Sequence, residues 1–271
     1  MTNPSALTNA QIVCFEDKGF LLVDFSLDEN LLDAIVEKVE PLYDQEQLQQ
    51  RTNGTRIENA WKRVDEGRQL AVDSRICAAL QQLFGRKPLP FQTLNFPTGT
   101  AQFAHSDTLH FSSVPAGYMA GVWIALEDID EDNGPLLYYS GSHKLEEYSL
   151  QSFGLEPGYG NYPRYEQCIQ QIIKEKGLPV EYGLMKKGMA LIWHANLLHG
   201  GAPQNDSTRS RHSQVTHYYF EDCKYYTPMV SGDAHREYHH PFWIPEAPDY
   251  VLPENQPRLL RWYRRFLGYF K

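Results

Sequence analysis

The sequence predicts an α+β fold, mainly β, with antiparallel strands forming a sandwich or barrel and helices gathered outside it. Three observations carry this. From residue 90 onward, short alternating apolar runs are broken by Pro and Gly, the texture of antiparallel strands. Before residue 90 the apolar residues recur at helical spacing instead. Seventeen Tyr and thirteen Phe favour strands and a cavity with aromatic walls. With 271 residues, 42% of them hydrophobic, the chain suits one large domain with an ample core.

The elements follow in order. Residues 8–16 form a helix capped by Thr8 and ended by Gly19, and Phe20-Leu-Leu-Val-Asp-Phe25 is a short strand. Ser26 and Asp28 cap a second helix running to about Tyr43, whose Leu31, Leu32, Ile35, Val36, Val39 and Leu42 make a stripe for packing on a sheet. Residues 44–67, polar and Arg-rich with Asn53-Gly54, are expected to be a loop, and a shorter helix covers 72–84. Candidate strands are 90–96, 100–105, 118–127, 135–140, 179–183, 189–194 and 212–220, with turns at Pro97-Thr-Gly99, Asp132-Asn133-Gly134-Pro135 and Lys187-Gly188. The segment 143–178, with a helix near 163–176, interrupts the strands as an insertion of the substrate-selecting kind. A basic, aromatic helix over 258–270 is expected to dock on the body of the protein with its arginines at the edge. As domains this gives one unit, 1–271: a helical N-terminal flank (1–88), a core (89–221) containing the insertion, and a C-terminal extension (222–271).

Charge and composition narrow the function. A net charge of −9 argues against nucleic acid, which calls for a basic face. Four separated cysteines without C-x-x-C spacing read as free thiols of a reducing cytoplasm. No signal peptide is visible and no apolar run is long enough to span a membrane. A homodimer is compatible with the sequence.

The chemistry starts at Gln102-Phe-Ala-His105-Ser-Asp107. If that stretch is extended, His105 and Asp107 share a face, about 7 Å apart along the strand. A second histidine, His199, ends the apolar run Gly188-Met-Ala-Leu-Ile-Trp-His194-Ala-Asn-Leu-Leu-His199 and is followed at once by Gly200-Gly201. Two imidazoles and one carboxylate compose the facial triad that holds Fe(II) and leaves positions open. His194 competes with His199 but lies inside the apolar run, where a hydrogen-bonded structural role is commoner. Further on, Arg211, Ser213, Val215, His217 and Tyr219 alternate onto one strand face. A permanently charged guanidinium beside an iron site would grip the far carboxylate of a dicarboxylate, with Ser213 donating to the same group.

These pieces together resemble the phytanoyl-CoA dioxygenase (PhyH) family of Fe(II)/2-oxoglutarate oxygenases. The resemblance rests on Gln102-x-x-His105-Ser-Asp107, on Trp123-Ile-Ala-Leu-Glu-Asp through Asn133-Gly134-Pro-Leu to Gly141-Ser142-His143, and on His199-Gly-Gly-Ala-Pro with Asn205 and Arg211-x-Ser213. Phe15-Glu-Asp-Lys-Gly19-Phe-Leu-Leu-Val is similar to the family's opening helix and strand, so the match runs over roughly residues 8–220. It implies a double-stranded β-helix (jelly-roll) core. It also implies a dioxygenase that turns 2-oxoglutarate and O2 into succinate and CO2 while hydroxylating a small molecule. Carried over by residue, His105, Asp107 and His199 are implied metal ligands and Arg211 the 2-oxoglutarate anchor, with Ser213, Gln102 and Trp123 as co-substrate neighbours. Arg209 is the alternative to Arg211. The carboxylate at position 107 points away from halogenation, because relatives that halogenate carry a small residue there.

The remaining residues read more plainly. His143 is expected to support the site rather than ligate, and His110 to stand where substrate enters; His194, His212, His217, His235, His239 and His240 are ordinary. Arg51, Arg56, Lys62, Arg63 and Arg68 read as a solvated basic face before they read as a phosphate-binding group. The competing function is a cupin-like jelly-roll binding protein or sugar epimerase without redox chemistry.

Overall fold

A computed structural model of the chain describes residues 7–48, 56–232 and 235–248. Helix α1 (Asn9–Lys18) starts at Thr8, whose hydroxyl accepts from the Gln11 backbone while the Gln11 side chain accepts from the Thr8 N–H. It stops at Gly19, which takes the left-handed conformation that ends helices. Strand β1 (Phe20–Asp24) follows directly, then α2 (Glu29–Leu48). After it come β2 (Ile57–Glu58), α3 (Asp65–Ala71), α4 (Ser74–Phe84) and β3 (Pro88–Phe96). The chain continues through β4 (Ser112–Val114), β5 (Met119–Ala125), β6 (Leu136–Tyr139), α5 (Tyr162–Lys176) and β7 (Val180–Tyr182). It closes with β8 (Met189–His194), β9 (His199–Gly201), β10 (Ser213–Phe220), β11 (Lys224–Tyr226) and β12 (Tyr238–His239).

Antiparallel pairing builds a six-stranded sheet in the order β1-β8-β5-β10-β3-β2 and a smaller sheet in the order β7-β6-β9. A third group, β12-β11-β4, lies beyond β10. Alternation decides which residue faces which layer. On β5, Val122 and Ile124 point outward, where they meet Leu32, Ile35 and Val39 of α2 and Ile76 and Leu80 of α4. The stripe read from the sequence is therefore the cover of the large sheet, each such side chain contributing about 2 kcal/mol by burial. On the other face Trp123 joins Leu191, Val215 and Tyr138 between the two sheets, where Phe20 and Tyr138 stack with ring centroids 4.3 Å apart.

Several expectations change. Strand 100–105 does not form: Ala101 has a positive φ of 47°, and only His105 bridges to His199, with Gly201 N–H donating to the Gln102 carbonyl. Residues 44–67 are not simply a loop, because α2 runs on through Glu and Gln, good helix formers, to Leu48. Strand β2 and the first turn of α3 fall in the same stretch; Arg68 anchors α3, its side chain bonded to Asp65 and to the Pro245 carbonyl. The N-terminal flank is not purely helical, since β1 and β2 are the two edges of the large sheet. The insertion serves more as a wall than a loop, with Tyr165, Ile169 and Ile173 of α5 buried against Ala104, Leu109 and Leu198. The helix expected at 258–270, like Arg51, lies outside the described residues.

Candidate functional site

The site sits between the sheets, where β9 and the 102–107 segment meet. Gly200 allows that approach: a Cβ there would come within 2.5 Å of the Gln102 carbonyl oxygen, too close for any side chain. His105 and His199 then exchange both backbone hydrogen bonds, at 2.9 and 3.0 Å. Ser106 is extended, so His105 and Asp107 do face the same way, and a short 3-10 turn begins at Asp107. Ser106 points the other way and donates to the Ala195 carbonyl at 3.1 Å.

His105, Asp107 and His199 are all buried and present ligand atoms within 4.8 Å of one another. Each imidazole donates its Nδ1–H to a backbone carbonyl two residues back, His105 to Phe103 at 3.0 Å and His199 to Leu197 at 2.9 Å. A carbonyl can only accept, so both Nε2 atoms keep their lone pairs for a metal. Burial, and next the proximity of His199, pull the His105 pKa down to about 3, so the ring is neutral at pH 7. Burial by itself would raise Asp107, but His199, His217, His105 and the Trp193 N–H together bring it to about 2. The carboxylate is therefore ionised. Two imidazoles and one carboxylate compose a donor set suited to a divalent first-row metal such as Fe(II).

Arg211 lies on the same cavity at 1% exposure. Its guanidinium donates to the Ser213 hydroxyl and to the Thr98 carbonyl, both at 3.0 Å, and sits over the rings of Trp123 and Phe96. Burial lowers its pKa to about 10, against the pull of Glu127, so it stays charged. Among the described residues no carboxylate reaches it within ion-pair distance, and its Nε has no partner. The buried Trp123 Nε1 on the same cavity is likewise unpartnered. A buried cation beside idle N–H donors fits an absent anion, since leaving both uncompensated is costly. Arg209 goes elsewhere: it pairs with Asp130 at 2.7 Å on the surface. Gln102 lines the cavity and donates to the Tyr162 hydroxyl at 3.3 Å.

The cavity, about 500 Å³, opens outward past these groups. The 44–67 stretch, the insertion and the C-terminal extension all reach it: Arg56 and Glu58 from the first, Tyr159 and Tyr162 from the second, Thr227 from the third. Arg56 bonds to Glu58 at 3.0 Å, whereas Lys62 sits over Trp61 and Phe242 and Arg68 is buried in its own contacts. Of the basic residues considered, Arg56 is the described one that lines the cavity. His110 lines it too, against Tyr162 with centroids 5.2 Å apart.

His143 stands outside the cluster, its Nε2 3.2 Å from the Glu16 carbonyl, while Ser142 accepts from the Leu198 N–H beside the site. Asn133 is more than a turn residue: its side chain accepts from Asp130 N–H and donates to the Asp128 and Ser210 carbonyls, and Gly134 supplies the positive φ. Two residues escaped the sequence reading. His217 is not ordinary; it is buried with Nε2 3.7 Å from Asp107 Oδ2 and Nδ1 2.9 Å from Gln92 Oε1. The alternation that put Arg211 and Ser213 on the cavity face already placed His217 there. Trp193 donates from Nε1 to Asp107 Oδ2 at 2.8 Å; a tryptophan in an apolar run carries no signal of that partner.

Comparison with known proteins extends this picture. The family model described as Phytanoyl-CoA dioxygenase (PhyH) matches residues 15–213. The peroxisomal phytanoyl-CoA dioxygenase of Rattus norvegicus is 29% identical over 126 residues, 45% of this chain and 34% of that protein. The chain thus spans about a third of that relative's length. Among solved structures, EctD from S. alaskensis with bound Fe superposes with a TM-score of 0.66 at 15% identity, covering 93% of this chain and 88% of that one. The non-heme alpha ketoglutarate dependent carbocyclase SnoK from nogalamycin biosynthesis gives 0.64 at 16% identity, covering 83% and 88%. These likenesses show the expected jelly-roll fold.

Proposed function

We propose that this chain, which belongs to the phytanoyl-CoA dioxygenase family, is an Fe(II)/2-oxoglutarate-dependent oxygenase that hydroxylates a small molecule. The observation that carries the reading is the pairing of two sites in one cavity: a His105–Asp107–His199 donor set and, beside it, a buried Arg211 that has no counter-ion among the described residues. On this reading the three side chains hold the metal. Arg211 and Ser213 take the far carboxylate of 2-oxoglutarate, with Trp123 and Gln102 along its flank. Bound iron with 2-oxoglutarate supplies the oxidising chemistry, O2 and 2-oxoglutarate leaving as CO2 and succinate with one oxygen atom delivered to the substrate. The chain's own work is to hold both histidines by Nδ1 so that Nε2 faces the site, to keep Asp107 ionised, and to line the cavity with Trp123, Phe96 and Leu94 so that it sheds water. Substrate enters past Arg56, His110, Tyr159 and Tyr162 and meets the site from the open side.

We read residues 1–271 as a single catalytic domain and place it in the cytoplasm. The free state of all four cysteines is consistent with that compartment. No helix of the described residues is long and apolar enough to cross a membrane. Cell fractionation tests the placement against the peroxisome, which the rat relative's name carries.

The deciding experiment is an anaerobic titration of metal-free protein with Fe(II) and then 2-oxoglutarate, followed by visible absorption. A weak charge-transfer band that needs both additions is expected. Bound iron without such a band would remove the 2-oxoglutarate assignment and leave the cupin-like reading. Product analysis after succinate release separates hydroxylation from the ring closure named for SnoK.

A further inference from the structure

Asp107 is the one carboxylate in the donor set, and a carboxylate can hold a metal through one oxygen or both. Its two oxygens stand equally near the histidine ligands, Oδ1 3.8 Å from His105 Nε2 and Oδ2 3.8 Å from His199 Nε2. Their hydrogen bonding differs: Oδ2 receives the Trp193 Nε1–H at 2.8 Å in a buried setting and has His217 Nε2 3.7 Å away, whereas among the described residues no side chain donates to Oδ1.

The sheet shows how this inequality is built. His217 on β10 pairs with Gly121 on β5, and Gly121 pairs with Trp193 on β8, so the three form a row across adjacent strands. The middle position has to be glycine. A Cβ at Gly121 would lie 2.2 Å from the Trp193 indole, which lies across the neighbouring strand. The two rings stand nearly perpendicular, at 85° with centroids 6.3 Å apart, and both present a ring nitrogen to the same carboxylate oxygen. Trp193 also contacts the other ligand, its ring 4.9 Å from that of His199.

We infer that Trp193, seated in the slot left by Gly121, is a positioning residue that fixes the plane of the Asp107 carboxylate through Oδ2 and so sets how that carboxylate faces the metal. The physical reason is that a charge-assisted hydrogen bond in a dry site is strong, and its loss would leave a buried indole N–H without a partner, so the carboxylate is held against rotation. A carboxylate oxygen carries two lone pairs, so the hydrogen bond orients the group without removing either oxygen from a metal's reach. The inference rests on the metal-site reading given under Proposed function.

The test compares wild type with Trp193→Phe, which deletes the N–H and keeps most of the ring, and with Gly121→Ala, which keeps the N–H but displaces the ring. In each, Fe(II) binding is titrated anaerobically and the 2-oxoglutarate charge-transfer band recorded, with Tm of the metal-free protein as the control. Both variants are expected to bind Fe(II) about tenfold or more weakly and to shift the band, with Trp193→Phe close to wild type in Tm. An unchanged affinity and band in a folded Trp193→Phe protein would overturn the inference alone. No Fe(II) uptake by wild type would instead overturn the metal-site reading. If neither variant folds, the Trp193 indole proton is followed by NMR in wild type before and after Zn(II). A proton protected from exchange in both states supports the role, and one that exchanges freely overturns it.

Discussion

The two faces of the six-stranded sheet are made by the same strands and do opposite work. Toward the helices, β10 presents Tyr218 and Phe220, and β5 presents Val122 and Ile124, all buried against α2 and α4. Toward the cavity, the alternate residues of β10 are Ser213, Val215 and His217, following Arg211, and β5 offers Trp123 and the gap at Gly121. The covered face joins its apolar groups to a few buried polar ones, Gln214 of β10 accepting from the Asn95 amide of β3 and donating to the Gly67 carbonyl of α3. Among the described residues, the cavity face holds a cation without an anion and N–H groups without acceptors. One face closes on itself, whereas the other is complete only with a ligand. Stability should therefore reside mainly in the first and binding mainly in the second.

Five substitutions probe that division, starting with the largest effect. Asp107→Ala is expected to abolish Fe(II) binding, a loss beyond the 10- to 100-fold that changes around a metal ligand cost, while metal-free Tm holds or rises. Arg211→Ala should raise the 2-oxoglutarate concentration needed for the charge-transfer band by about 30-fold or more, as expected for truncating one side of a buried charge pair. Ile35→Ala, on the covered face, should cost about 2–5 kcal/mol in urea unfolding yet leave the Fe(II) titration of the folded protein unchanged. A large effect on metal affinity there would erase the distinction between the faces.

His194, at the end of β8, sharpens it through pH. Burial and then His143 hold its pKa at about 4, below the unfolded value of about 6.5. A depressed histidine contributes stability that is present above the unfolded pKa and is lost as pH falls, because the unfolded chain takes up a proton that the folded chain refuses. From pH 7 to pH 5 this residue should account for on the order of 1–2 kcal/mol. His194→Gln should accordingly flatten the fall of Tm with acid. The smallest effect is expected of Arg209→Ala: its surface pair with Asp130 leaves both Tm and the 2-oxoglutarate titration where they were.

Much of this was legible beforehand, unevenly. The stripe of α2 announced a helix on a sheet because burial on one face imposes a period that no other structure shares. His105 and Asp107 were legible as a pair because the extended Ser106 between them puts both on one side. The expected strand at 100–105 failed at Ala101, whose positive φ depends on loop packing and leaves no mark in composition. The choice of Arg211 over Arg209 rested only on the Ser213 two residues on. In the structure the two differ in what lies near: Asp130 for one, Trp123 and Phe96 for the other.

The amino-acid sequence by itself determined the mainly β architecture with its N-terminal helices, the family, and the residues able to bind a metal. Periodicity and residue chemistry are local properties and survive in one dimension. Only the tertiary structure decided that Trp193 and His217, on strands separated by β5, converge on one oxygen of Asp107 across Gly121. It also decided that the helix of the insertion walls the small sheet while only its leading end faces the cavity. Such pairings are set by strand order and register, which join residues dozens of positions apart and so cannot be read from any neighbourhood of the chain.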